Sequence, residues 1–452
     1  MIRGRKKFLP LLLGVAALSF AGKARSAAED PPAGARPLNV LLIVVDDLNT
    51  SLGCYGAPVK SPNIDRLAAR GTRFEQAYCQ YPLCNPSRVS FLTGRRPATT
   101  GVYSLSTPSF RALPGVVTLP QYFRQHGRFS GGAGKIFHTP KMSDQAAWDF
   151  YDDGNGEDPE EQGAIRSRYG GGDGRPAWTV LSSDGSRTRD GINARTIARL
   201  IGEQSAAGRP FFLAAGFHKP HLPWTAPKQF FDLYPEGGTV IAPEPAMKDV
   251  PAIAKQTELT GNAQPESRQG AIRAYYACVS FTDSQIGLLL DELERRGLWE
   301  STVVALIGDN GFHLGDHDGL WGKLSAFTAS ARVPFLLAGA GVPAAKRVST
   351  PVELLDLYPS LVALAGLPMA EGLQGRSLVP LLRGEESNPH RTASSIVYHY
   401  DPERKIDILG RSVISEAWRY TEWADGTEGR ELYWRKEDPG EYVNRAADPR
   451  AL

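Results

Sequence analysis

Four apolar runs separated by helical patterns constrain this chain more than any other feature. Leu38 to Val45 is nearly continuous, rich in β-branched residues, and stops abruptly at Asp46-Asp47. Runs of this kind suit strands buried on both faces, as in a parallel sheet. Similar runs recur at Phe211 to Ala215, Thr302 to Ile307 and Pro334 to Leu337. Helical patterns fall between them, at Asn63 to Arg70, Ser87 to Thr93, Arg189 to Glu203 and about Arg268 to Arg296. Strands alternating with helices predict an α/β domain, with a large, mostly parallel sheet flanked by helices. Chemistry in such sheets collects beyond the carboxyl ends of the strands.

Two stretches break the alternation. Tyr151 to Pro176 is rich in Gly, Asp and Glu and reads as a long surface loop of the kind that serves as a lid or binding element. A polar break near Gly384 to Pro389 precedes short strand-like pieces at Ser395 to Tyr398, Trp418 to Trp423 and Glu431 to Trp434. These predict a small antiparallel C-terminal unit, 387–452, docked on a catalytic domain spanning 29–386.

The ends of the runs carry the first chemical signal. Asp46-Asp47 closes one strand, and Asp309-Asn310 follows another far along the chain. Alone, either pair reads as turn or cap residues. Together they offer the carboxylate and amide oxygens that a hard divalent cation prefers. Cys84 lies between Pro82 and Pro86 and beside Arg88, poor company for a core cysteine. Pro86 is placed to open a helix, which sets Cys84 at an N-terminus that favours anions. His218-Lys219-Pro220-His221 suggests zinc at first sight, but Pro220 spoils the helix that a His-x-x-His pair needs.

Charge and leader add context. The 452 residues hold 51 Lys+Arg against 49 Asp+Glu, too little basic excess for nucleic acid as the main partner. With 42% hydrophobic and 22% charged residues, the chain is an ordinary globular one of two or three structural units, not a fibre or a disordered tail. Arg3, Arg5, Lys6 and Lys7 precede an apolar run from Phe8 to Ala21 and small residues at Ser26, Ala27 and Ala28. That layout predicts a signal peptide over 1–28 and an exported protein with no membrane span after cleavage. Its loss removes six basic residues and no acidic ones, leaving 45 against 49, about −4. One N-glycosylation pattern, Asn49-Thr50-Ser51, follows the aspartate pair so closely that a sugar there would block it. A bacterial periplasm or exterior is the expected location.

The segment Cys84-x-Pro86-Ser87-Arg88-x-x-x-Leu92-Thr93-Gly94 resembles the signature of the type I sulfatase family. The family's Cys is oxidised to formylglycine (3-oxoalanine) before folding. The resemblance runs from about Asn39 to Pro449. It is most similar to the iduronate-2-sulfatase branch through Ser51 to Gly56, Gly134 to His138, Gly216 to His221, Trp321 to Lys323, Arg419 to Thr421 and Glu431 to Tyr433. It implies an alkaline-phosphatase-like sandwich, a sulfated carbohydrate substrate and a sulfatase-maturating or formylglycine-generating enzyme as partner for Cys84. It further implies one calcium ion (magnesium in some descriptions) held by Asp46, Asp47, Asp309, Asn310 and modified Cys84. Human-type iduronate-2-sulfatases have His where this chain has Asn310, which suits calcium but loosens the assignment of the sugar.

The resemblance also implies roles for single residues. A hydrated aldehyde at position 84 attacks sulfur, helped by the cation and Arg88, with Asp309 accepting the diol proton. Lys323 and His218 supply the leaving alcohol with a proton, Lys135 binds the sulfate and diol, and His138 removes the second diol proton as sulfate is expelled. Arg88, Lys135, Lys219 and Lys323 are expected to form the basic pocket. His221, His313 and His317 are candidates for its lining, without assigned roles. Two rival readings stand beside this one: a phosphatase or phosphodiesterase of the wider superfamily, and a non-catalytic sulfated-glycan-binding homologue. If Cys84 is converted, Cys54, Cys79 and Cys278 allow at most one disulfide.

Overall fold

The Asn39–Val45 strand buries all seven of its residues. Leu41, Ile43 and Val45 join one apolar cluster, while Val40, Leu42 and Val44 join another. Each face of the strand thus feeds its own core, which is why the run shows no polar alternation. At about 1.5–3 kcal/mol for each large side chain fully buried, this strand alone is a major contributor to the driving force for folding. The computed structural model describes the chain apart from residues 1–36, 108–112, 114, 167–176, 240, 242, 260–266, 387–389 and 449–452. The expected leader therefore lies outside the described residues. No helix among those described is long and apolar enough to cross a membrane.

The strand lies inside an eight-stranded sheet. From one edge the order is Lys346–Val348, Gly71–Phe74, Phe335–Gly339, Thr302–Gly308, Asn39–Val45, Phe211–Phe217, Phe129–Gly134 and Phe150–Asp152. Neighbours run parallel except Phe335–Gly339, which is antiparallel to both of its partners. Between Thr302–Gly308 and this strand the chain makes a hairpin and a four-residue helix, Thr328–Ala331. Without a crossover element to carry the chain back down one face, the return strand must reverse. Helices Pro62–Ala69, Arg189–Ala206 and Arg268–Arg295 cover one face through Leu67, Ile197, Leu200, Ile286 and Leu289. Helices Cys84–Thr93, Leu119–Gln125 and Leu357–Leu364 cover the other through Phe91, Leu92, Phe123 and Leu361.

The expected long loop is partly ordered structure. Phe150–Asp152 is the edge strand, and Pro159–Arg166 is a helix. Asp158 accepts from the Glu160 and Glu161 backbone N–H groups at the head of that helix. An Asp followed by Pro is a helix-start signal that the Gly-rich composition masks. Gly170 to Gly174 fall outside the described residues.

Ala393–Asp401, Ile406–Ile414, Trp418–Trp423 and Gly429–Trp434 form a four-stranded antiparallel meander. Val397, Ile408, Trp423 and Tyr433 pack on Ala254, Leu320, Ala326 and Phe327. Buried Arg419 pairs with Glu431 and Glu441 and donates to the Ala326 carbonyl, while Glu441 accepts from the Thr328 N–H at 2.9 Å. The C-terminal unit thus grips the segment that follows Lys323. All four cysteines are free thiols, so the single disulfide that the count allows does not form.

Candidate active site

Parallel strands that end together deliver the site. Asp46-Asp47 follows Val45, Lys135 follows Gly134, His218 follows Phe217, and Asp309-Asn310 follows Gly308. Close strand ends require small residues. A Cβ on Gly216 would meet the Lys135 backbone at 2.3 Å, and one on Gly134 the Gly216 carbonyl at 2.1 Å. Asp47 adopts φ 57°. This left-handed conformation is uncommon outside glycine, and Asp and Asn tolerate it best.

Three carboxylates and three cations interlock there. The Arg88 Nε lies 2.8 Å from Asp309 Oδ2 and its Nη2 3.1 Å from Asp46 Oδ1. Its Nη1 donates to the Lys135 and Ile136 carbonyls. Every face of this fully buried guanidinium is engaged, so Arg88 holds the carboxylates in place. Lys135 Nζ contacts Asp46 Oδ2 directly. Lys323 Nζ lies 2.6 Å from Asp47 Oδ1 and 2.9 Å from Cys84 Sγ. The formal charges cancel: Asp46, Asp47 and Asp309 against Arg88, Lys135 and Lys323.

Cys84 opens a ten-residue helix in which every residue is buried, and the helix closes at Gly94 with φ 64°. A Cβ at Gly94 would run into Leu373 at 2.4 Å, which accounts for the glycine that ends the motif. Burial, and then the Asp46 charge, push the Cys84 thiol well above its ordinary value. His138 is pushed down to about 3 by burial and the Lys135 charge, so its ring is neutral.

The two histidines of the His-Lys-Pro-His segment separate. His218 turns to Asp190, whose carboxylate lies 3.4 Å from its Nδ1 and accepts its backbone N–H. None of its hydrogen bonds or ion pairs reaches Cys84 or the three carboxylates. His221 does reach them: its Nε2 is 3.8 Å from Asp47 Oδ2, and it shares a cluster within 4.8 Å with Asp46 and Cys84. Its Nδ1 faces the Leu222 carbonyl at 2.6 Å, and a carbonyl only accepts, so Nε2 is the nitrogen left for the site. Lys219 leaves the expected basic pocket. Its buried ammonium donates to the Pro223 carbonyl at 2.7 Å and the His221 carbonyl at 3.5 Å, bracing the turn that carries His221. His313 and His317 lie in a separate cluster around Asp316.

The residues present fit a hard cation. Asp46, Asp47 and Asp309 bring carboxylate oxygens within 4.8 Å of one another. Asn310 gives its Nδ2 to Asp47 and Gly311, leaving Oδ1 as a buried acceptor without a hydrogen-bond partner. Such an orphan costs about 1–3 kcal/mol, which a metal bond offsets. Burial, and the Asp46 and Asp47 charges against the opposing pull of Arg88, push Asp309 up to about 7. Further positive charge beside it would favour its ionised form.

The sequence profile of the Sulfatase family matches residues 38–367. The chain belongs to the sulfatase family. Its members are sulfuric ester hydrolases, and the C-terminal part, residues 315–451, matches the profile "N-sulphoglucosamine sulphohydrolase, C-terminal". A sulfatase of Formosa agariphila is 32% identical over 441 residues, covering 90% of this chain and 83% of that protein. The iduronate 2-sulfatase of Homo sapiens is 33% identical over 472 residues, covering 85% of each. Among solved structures, the phosphonate monoester hydrolase of Agrobacterium radiobacter superposes with a TM-score of 0.76 at 22% identity, over 92% of both chains. A 2-O GAG sulfatase does so with a TM-score of 0.69 at 24% identity, over 92% and 89%. These likenesses bear out the alkaline-phosphatase-like fold, with a large mixed sheet and a small C-terminal antiparallel sheet.

Proposed function

We propose that this sulfatase hydrolyses a sulfate ester on a sulfated glycan, in the manner of iduronate-2-sulfatases, using formylglycine made from Cys84 and one calcium ion. The observation that carries this reading is Cys84 Sγ at 2.9 Å from Lys323 Nζ, beside the carboxylates and the unpartnered Asn310 oxygen. Asp46, Asp47, Asp309, Asn310 and residue 84 would hold the cation. Formylglycine would supply a hydrated aldehyde as nucleophile, and the cation a charge of +2 in an otherwise balanced site.

The chain's own residues do the rest. Arg88 keeps Asp46 and Asp309 oriented. Lys135 and Lys323 meet the negative charge on the sulfate and on the leaving oxygen. Neutral His138 is free to accept a proton. His221, through Nε2, would pass a proton between residue 84 and the leaving alcohol, while His218 is turned to Asp190. Cys84 is sealed in a buried helix, so its conversion by a maturating enzyme must precede folding. Export to a periplasm or exterior and the division into units 29–386 and 387–452 belong to this reading.

Turnover on a panel of 2-O-, 4-O- and 6-O-sulfated uronates, hexosamines and galactose tests it, with preference expected for a 2-O-sulfated uronate. Activity confined to aryl sulfates or phosphate diesters would overturn the glycan assignment. Peptide mass spectrometry across Tyr81 to Arg88 tests the modification, and an unmodified thiol in active enzyme from the native host would exclude it.

A further inference from the structure

A second concentration of positive charge lies at the opposite end of the sheet. Phe129 begins the strand that delivers Lys135, and six residues at about 3.3 Å each set the two roughly 20 Å apart. Beside Phe129 is a groove of about 530 Å³ lined by Gln121, Arg124, Gln125, Arg128, Asp149 and Arg209. Its charge is unbalanced. Asp149 is spent on Arg124 at 2.9 Å and on the Ser130 N–H at 2.9 Å. Arg128 and Arg209 have no carboxylate partner among the described residues.

The two arginines are held in place without being neutralised. Arg128 is half-buried; its Nη1 donates to the His126 carbonyl, and its Nε is buried with no hydrogen-bond partner. Arg209 comes from a different element, the turn before Phe211–Phe217. Its guanidinium lies 4.6 Å over the Phe129 ring and its Nε donates to Gln204 Oε1 at 2.7 Å. A cation beside the carbonyl end of helix Leu119–Gln125 is favourable in itself. That accounts for the Nη1 bond of Arg128. It leaves unexplained the unbonded Nε and the arrival of Arg209 alongside. A partly desolvated guanidinium recovers its lost hydration through an oxyanion, whose geometry its planar fork matches.

We propose that this groove is a second, non-catalytic binding site for sulfated polysaccharide, taking a sulfate group between Arg128 and Arg209. Gln121 and Gln125 supply amide groups for neighbouring hydroxyls. One sulfate cannot reach both ends of the sheet, so the groove engages a different residue of the polymer from the one being hydrolysed. Retention there raises the local concentration of further sulfate esters. The inference rests on the sulfated-glycan reading for its ligand, and its test is independent of turnover.

Affinity of the full chain for a heparin fragment is measured by fluorescence anisotropy at fixed ionic strength, for the wild type, Arg128→Gln/Arg209→Gln and Arg128→Lys/Arg209→Lys. The Gln pair is expected to lose at least tenfold in affinity and the Lys pair much less. Both should keep the wild-type thermal midpoint and wild-type kcat/KM on a monosulfated monosaccharide. Wild-type affinity in the Gln pair would overturn the proposal. If no sulfated sugar is turned over, the catalytic reading fails while heparin affinity still decides the groove.

Discussion

Two buried clusters in this molecule bring acids and metal-ligating side chains equally close, and they differ in how completely their atoms are used. Asp46, Asp47 and Asp309 form one; His313, Asp316 and His317 form the other, each within 4.8 Å. In the histidine cluster nothing is left over. His313 faces Asp316 and the Ser325 hydroxyl, the latter at 2.6 Å. His317 donates to Asp316 at 2.6 Å and to the Gly440 carbonyl at 2.6 Å, and Asp316 also accepts the Leu314 N–H at 3.0 Å. In the carboxylate cluster Asn310 Oδ1 lacks a partner and Asp309 is pushed up to about 7. Saturated polar networks hold structure, and those left one partner short mark where a ligand enters. His317 ties the hairpin before Lys323 to the C-terminal segment, which is a brace's work.

The contrast can be broken most forcefully at residue 84. Cys84→Ala should lower kcat on a sulfated sugar by more than about 10⁴-fold, as loss of a nucleophile does, with an unchanged circular dichroism spectrum. Next comes the choice between histidines. His221→Ala should lower kcat by about 10²–10⁴-fold, within the range for a proton-transfer group, and His218→Ala by less than about tenfold. Equal losses would return His218 to the site. Chelation should abolish turnover reversibly and lower the thermal midpoint, with about 2.7 kcal/mol of stability lost if the ion sits at a hundred times its dissociation constant. Asp309→Asn should remove that response, and Asp316→Asn should leave it intact.

The smallest expected effect is the brace itself. Asp316→Asn should cost about 2–3 kcal/mol in urea unfolding, toward the lower end for a partly exposed member of a buried pair, and leave kcat within a few-fold. Its pH dependence has a definite sign. Burial opposes charge on His317, yet the Asp316 hydrogen bond and charge hold it above its ordinary value. Burial likewise opposes charge on Asp316, and the two histidines hold it well below the usual carboxylate range. The histidine contribution is complete below about 6.5 and is lost as pH rises through the raised value. The carboxylate contribution is complete above about 3.9 and is lost only in strong acid. The stability gap between wild type and Asp316→Asn should therefore be widest near pH 5–6 and narrow as pH rises through the raised His317 value. A gap independent of pH would mean that the pair is neutral.

Much of the candidate site was legible. Each apolar run became a strand, and the residues just past the runs, Asp46, Asp47, Asp309 and Asn310, converge because parallel strands end on one side of the sheet. Lys323 was legible only through family likeness, since its position depends on a hairpin and on the Arg419–Glu441 grip from the far end of the chain. Four residues, His218 to His221, show why the rest was not. The segment offers two imidazoles and an ammonium in a turn with cis bonds before Pro220 and Pro223. Spacing does not say which ring faces the strands and which faces Asp190. The Pro159–Arg166 helix was hidden for a similar reason, its capping Asp158 lying in a stretch whose composition favours loops.

The sequence by itself determined the alternation of buried strands and helices, the acids at the strand ends and the cysteine in its motif. Those are local properties, written in burial period and in residue chemistry. Tertiary structure alone decided that His221 clusters with Asp46 and Cys84 while His218 turns to Asp190, that Lys219 braces a turn, that Arg88 grips carboxylates, and that Asn310 keeps a free oxygen. Each of those outcomes depends on partners tens to hundreds of residues away, and a side chain's role follows from which of its atoms remain unbonded once the chain has closed around it.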